Sequence, residues 1–104
     1  MDTRVLEKCL ELIADEDSGM QIQTLRAFLF VANNSGCCQK DVERALSYTN
    51  SSSSRNISYW TDLRFDKKPG KNFILRIEDP MDRRYSILTL TKKGKEFLEK
   101  IKSL

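Results

Sequence analysis

Apolar residues recur along this chain in two rhythms, one helical and one strand-like, and the switch between them organises it. Over residues 3–14, Val5, Leu6, Cys9, Leu10 and Ile13 fall at i, i+1, i+4, i+5 and i+8, which predicts one apolar stripe on a helix. Asp15-Glu16-Asp17-Ser18-Gly19 ends it, and Ser18 and Gln21, three apart, have capping-box spacing for a second helix over 20–33. That run holds Leu25, Ala27, Phe28, Leu29, Phe30, Val31 and Ala32, apolar enough for a central buried helix. Asn33-Asn34-Ser35-Gly36 reads as a turn. Residues 38–47 predict a short helix with Val42, Ala45 and Leu46 facing inward, and a break at Ser47-Tyr48-Thr49 leads to another helix over 50–63. Apolar positions in that helix are sparse: Ile57, Trp60 and Leu63.

After a basic turn, Lys67-Lys68-Pro69-Gly70-Lys71-Asn72, the period changes to two. Phe73–Ile77 and Tyr85–Leu90 read as strands of a hairpin with a charged tip, Glu78 to Arg84; Leu88 and Leu90 share one side and Ile87 takes the other. Thr91 is placed to cap a last helix over 92–103, whose stripe is Phe97, Leu98 and Ile101. The order predicts a mainly α chain with a small β-hairpin wing, a winged helix-turn-helix of about five helices. It reads as one domain over 1–104, with the helix-turn-helix at 38–63 and the wing at 73–90.

Charge sharpens the picture. The net charge is only +3, but residues 1–17 hold two basic and six acidic residues, a net of −4. Residues 64–95 hold ten basic and four acidic residues, a net of +6. A polyanion is the partner this suggests, against the plainer reading of a solvated charged surface.

Catalysis has little to work with. There is no histidine, which removes Ser-His and Cys-His pairs and mixed Cys/His zinc sites, and three cysteines cannot complete a Cys₄ site. Lys93-Gly94-Lys95 lacks the rest of a phosphate-cradling loop. The expectation is a non-enzyme without metal or cofactor. No apolar run approaches the ~20 residues that cross a bilayer and no leader is evident. The expected setting is therefore soluble and without a membrane partner: the cytoplasm or nucleoid, or the host cytoplasm for a virus-encoded chain.

Two constellations suit double-stranded DNA. A helix that enters a major groove needs a polar outer face without bulky apolar groups. Asn50, Ser51, Ser52 and Ser54 offer short polar side chains, and Arg55, Asn56 and Tyr59 could reach base edges or backbone. The alternative is a flexible serine loop with the helix starting near Arg55. The hairpin tip is sharper. Asp82-Arg83-Arg84 puts guanidinium groups at the end of an arm, where a narrow minor groove would attract them, and Asp82 could orient Arg84 across one residue. Its alternative is an ordinary hairpin with surface ion pairs.

Here the residues resemble a known family. The stretch Asp79-Pro80-Met81-Asp82-Arg83-Arg84-Tyr85-Ser86-Ile87-Leu88-Thr89-Leu90-Thr91-Lys92-Lys93-Gly94 is similar to the wing signature of the MarR family: a D-x-R tip, an alternating strand, then L-T-x-x-G opening a helix. Gln39-Lys40-Asp41-Val42 and Ser54-Arg55-Asn56-Ile57 resemble that family's two helix-turn-helix helices, and the likeness spans about 20–96. It implies a homodimeric DNA-binding regulator of transcription, most simply a repressor. Ser51, Ser54, Arg55 and Tyr59 would lie in the major groove, and Arg84, held by Asp82, in the minor groove. It also implies a small-molecule or protein effector in a cleft between the dimer helices and the DNA-binding lobe.

Three features depart from the pattern. Trp60 stands where a leucine-like core residue is usual. The loop 65–72 is longer and more basic, a candidate phosphate clamp through Lys67, Lys68 and Lys71. The chain ends soon after Ile101, so a dimer would rest on helices 3–14 and 92–103, whose stripes could equally be core. Cys37 and Cys38 fall at an expected helix N-terminus, where the macrodipole favours thiolate, which makes redox sensing a candidate role; Cys9 reads as core. Two other functions remain open: a protein-interaction module that inhibits or recruits another protein, to which the acidic 1–17 is suited, and a low-specificity DNA-binding accessory protein.

Overall fold

Eight elements follow one another in a computed structural model that describes residues 1–104: α1 (Thr3–Glu16), α2 (Ile22–Asn33), β1 (Cys37–Cys38), α3 (Gln39–Leu46), α4 (Asn50–Ser58), β2 (Ile74–Glu78), β3 (Ser86–Leu90) and α5 (Lys92–Lys102). The winged helix-turn-helix architecture and the five helices are as the periodicity predicts. The apolar run in α2 becomes the hub: Ala27, Phe28 and Val31 are wholly buried, and Val42 of α3 and Ile57 of α4 close over them. Ser47, in the left-handed region at φ 58°, turns the chain between α3 and α4, and Tyr48 Oη donates to the Gln23 carbonyl to tie that turn to α2.

The centre is aromatic. Trp60, Phe28, Phe73 and Phe97 pack with ring centroids 4.9–6.3 Å apart. The Trp60 indole N–H donates 2.8 Å to the Thr24 carbonyl, so the one polar atom of the ring is satisfied inside the core.

The sheet is antiparallel in the order β1-β3-β2, with Cys37 opposite Leu88 and Ile74 opposite Leu90. Leu88 and Leu90 are buried and Ile87 is half-buried, the alternation expected. Strand β1 was not expected, since two residues carry no period. It forms because the Gly36 N–H, at φ 88°, bonds the Leu88 carbonyl and steers Cys37 into the core.

Two other expectations need correction. Helix α4 stops at Ser58 rather than 63. The chain tightens there: Trp60 N–H bonds the Ile57 carbonyl, and Thr61 Oγ1 bonds the carbonyls of Ser58 and Leu63. The backbone then runs back against itself, Tyr59, Thr61 and Asp62 accepting from Lys71, Asn72 and Gly70, and Trp60 swings to the centre. Ser18 does not cap α2; Gln21 is its N-cap without a side-chain bond, while Asp17 Oδ1 takes the Gly19 N–H and makes a local turn. A capping interaction occurs instead at α3, where Asp41 Oδ2 accepts the Cys38 N–H at 2.9 Å.

The Thr-x-x-Gly opening of α5 has a physical reason. Thr91 Oγ1 accepts the Gly94 N–H at 3.1 Å and donates to the Asn72 carbonyl at 2.7 Å. Gly94 lies so close to Phe73 that a Cβ would collide with its carbonyl oxygen. Gly94→Ala should therefore lower stability by about 2 kcal/mol although alanine favours helix, measurable by thermal or urea unfolding. Unchanged stability would show that the β2–α5 contact is slack.

Candidate nucleic-acid interface

Thr49 Oγ1 accepts the Ser52 N–H at 3.1 Å, so α4 starts at Asn50 and all four serines are helical. The flexible-loop alternative does not hold. Ser53 and Ile57 face the core at no exposure, which by the 3.6-residue turn leaves Ser51 and Arg55 on the outer side, flanked by half-buried Ser54 and Ser58. Ser52 sits to one side, its Oγ accepting from Asn56 Nδ2. Asn50 is exposed and its Nδ2 donates to Glu43 Oε2 at 3.2 Å.

The wing tip is locked by its own side chains. Asp79 Oδ1 accepts the Met81 N–H, and Asp79 and Tyr85 pair across the turn. Asp82 then holds Arg84 at three points: Oδ1 accepts the Arg84 N–H at 3.1 Å and Nε at 3.0 Å, and Oδ2 accepts Nη2 at 2.8 Å. This fork drives the Asp82 carboxyl below its usual range, the Arg84 side chain contributing most and its backbone N–H next, and raises Arg84 in return. Arg84 stays ionised, 82% exposed, and lies 5.8 Å over the Tyr85 ring. Arg83 points elsewhere and meets only Glu78, at 3.9 Å.

Between wing and helices lies a cleft of about 260 Å³, bounded by Gln39, Lys40 and Glu43 of α3, Asn50 of α4, and Arg76 and Arg84 of the wing. Sequence reasoning passed over Arg76 and Lys40 as interface residues. Strand alternation held the signal for Arg76, which shares a face with buried Ile74 and so looks toward α3 and α4 rather than away. Glu43 is the one carboxylate in that cleft, and Lys40, Gln39 and Asn50 surround it.

Three residues expected at the interface are engaged inside the fold instead. Asn56 Oδ1 accepts Thr24 Oγ1 at 2.7 Å and its Nδ2 donates to the Ser52 carbonyl, joining α4 to α2. Tyr59 Oη donates to Asp17 Oδ2. Burial, then Asp17, pushes the phenol upward, while the phenol and the Gly19 N–H hold Asp17 low. Lys71 Nζ donates 2.7 Å to the Glu16 carbonyl, closing the C-terminal end of α1 rather than reaching out. Lys67 and Lys68 remain exposed on the loop.

The thiolate expectation also fails at Cys37. Its burial, then the nearby Asp41 and Cys38, push the thiol up to about 11, outweighing any help from α3. In the native protein Cys37 should resist iodoacetamide at pH 8 and react on unfolding, as intact-mass measurement would show; prompt native labelling would contradict its burial.

The arrangement has counterparts among solved structures. No protein-family model matches the sequence, nor does any curated protein sequence. Solved structures do. A crystal structure of MarR superposes over 97% of this chain and 72% of its own, at 19% identity and TM-score 0.67. The FabT of Streptococcus pneumoniae in complex with DNA matches 98% of this chain and 66% of its own, at 18% identity and TM-score 0.73. The S. aureus MepR–DNA complex gives 97%, 73%, 19% and 0.71. The chain has the MarR-type winged-helix fold. It spans about two thirds to three quarters of those proteins' length. Within a MarR-type fold, α3 and α4 are the helix-turn-helix and β2–β3 the wing, so the cleft just described lies between the two.

Proposed function

We propose that the protein is a double-stranded DNA-binding regulator of transcription that represses by occupying its site. Helix α4 enters a major groove, where Ser51, Ser54 and Arg55 face bases and backbone. Arg84 enters the adjacent minor groove, and Lys67, Lys68, Arg76 and Arg83 stand ready for phosphates. The observation that carries this reading is the Asp82–Arg84 fork: a fixed guanidinium, still exposed, at the end of a two-stranded arm. FabT and MepR, which share the fold, are seen with DNA.

The active form in this proposal is a homodimer built on α1. Leu6 and Leu10 of its stripe are 45% and 56% exposed, whereas Phe97 of α5 is core. The effector would be a small molecule or a protein acting from the cavity of about 420 Å³ between the α1–α2 turn and the end of α4, beside the Tyr59–Asp17 bond.

Selection from a random duplex library, followed by footprinting, tests the proposal. It expects an enriched pseudo-palindrome with half-sites about 10 base pairs apart. Enrichment of no sequence despite tight binding would favour the low-specificity accessory reading. A monomer in sedimentation at high micromolar concentration would remove the dimer.

A further inference from the structure

The segment between α4 and the wing forms a small structure of its own. Leu63 and Pro69 bridge, Arg64 N–H bonds the Lys68 carbonyl at 2.9 Å, and Lys67, at φ 69°, bonds the Arg64 carbonyl at 3.0 Å. Asp66 braces the turn from inside, taking Arg64 Nη2 at 3.0 Å and the Lys68 N–H at 3.2 Å. Gly70 lies directly on the Thr61 carbonyl, closer than any Cβ would permit, which pins the base of the loop to the end of α4. This loop holds out Phe65, a ring that is 61% exposed.

An exposed phenylalanine on a braced loop calls for a reason. Its neighbour supplies one: the Arg55 guanidinium lies 5.3 Å over the Phe65 ring, within cation–π range. Arg55 differs from Arg64, which lines the same cavity, in what holds it. Arg64, Arg44 and Arg84 are each paired with a carboxylate, which occupies their N–H groups. Arg55 makes no ion pair and no side-chain hydrogen bond. An aromatic face can fix a guanidinium in place while leaving its donor edges free, and a bidentate base contact requires those edges.

We infer that Phe65 is a positioning residue for base readout: it holds Arg55 on the outer face of α4 with its fork free for a guanine edge. This rests on the DNA-binding reading above and adds a determinant of sequence preference outside the recognition helix.

The experiment is selection from a random duplex library with the full-length chain, wild type beside Phe65→Ala, Phe65→Tyr and Arg55→Ala, with anisotropy on a random duplex in parallel. Arg55→Ala should erase a guanine preference at one position of each half-site, on the order of tenfold. Phe65→Ala should erase the preference at that same position, while random-duplex affinity changes by less than about twofold. Phe65→Tyr, which keeps the ring, should retain it. The inference is overturned if Phe65→Ala keeps the preference, or weakens specific and random binding equally. It is also overturned if Phe65→Ala blurs positions that Arg55→Ala leaves sharp. Wild type that binds random duplex but enriches no sequence overturns this inference and favours the low-specificity accessory reading, while leaving duplex binding in place. Wild type that binds no duplex overturns the DNA-binding reading and this with it. Phe65 lies outside the buried core, and matching thermal melts will separate lost readout from lost fold.

Discussion

Trp60→Ala should lower the unfolding free energy by about 4 kcal/mol, a large share of the roughly 5–15 kcal/mol that holds a domain of this size together. Trp60 has no exposure and touches Phe28 of α2, Phe73 just before β2 and Phe97 of α5. Alanine would leave a cavity where three elements meet and strip the Thr24 carbonyl of its indole donor. For about a hundred residues the melting temperature should fall by roughly 15–30 °C. Trp60→Phe should recover much of the packing but not the hydrogen bond. A fall of only a few degrees for Trp60→Ala would mean that the core can collapse around the gap, and that the residue is not the centre described here.

Arg84→Ala should weaken binding to duplex DNA by roughly tenfold to a hundredfold, without lowering the melting temperature. The second half of that expectation follows from exposure: Arg84 touches only the wing tip, and a solvent-facing ion pair contributes little to folding. Arg84→Lys should rescue poorly, because an ammonium cannot take the two-point grip of Asp82 or present a flat fork to a narrow groove. Asp82→Asn should fall between, since it leaves the guanidinium in place but frees it to wander. Alanine at Arg83, whose one partner is Glu78 at 3.9 Å, should matter less than at Arg84. Equal binding by wild type and Arg84→Ala would remove the wing from the interface.

What the sequence disclosed and what it hid divide along chain separation. The stripe of α2, the serine face of α4, the alternation of β3 and the Thr91 cap are local patterns, and each forms where its period places it. The Asp82–Arg84 fork was equally legible because its partners are two residues apart. The engagement of Asn56, Tyr59 and Lys71 inside the fold is invisible in the sequence because their partners, Thr24, Asp17 and Glu16, lie 32, 42 and 55 positions away. No spacing rule reports such contacts, and a polar residue bound inside a fold looks, in sequence, like one waiting for a ligand. Cys37 failed for a related reason: a helix N-terminus is visible in the sequence, but the burial imposed by pairing with β3 is not, and burial is the larger effect on its thiol. Arg76 was missed although strand alternation carried the signal, because its importance depends on α3 and α4 standing opposite.

The central claim is that the protein binds double-stranded DNA through its wing and α4, and a salt series tests it most directly. Fluorescence anisotropy of a labelled random-sequence duplex should give an affinity whose logarithm falls linearly with the logarithm of salt concentration, at a slope worth several phosphates. No binding at about 50 mM salt, where the electrostatic attraction is strong, would contradict it.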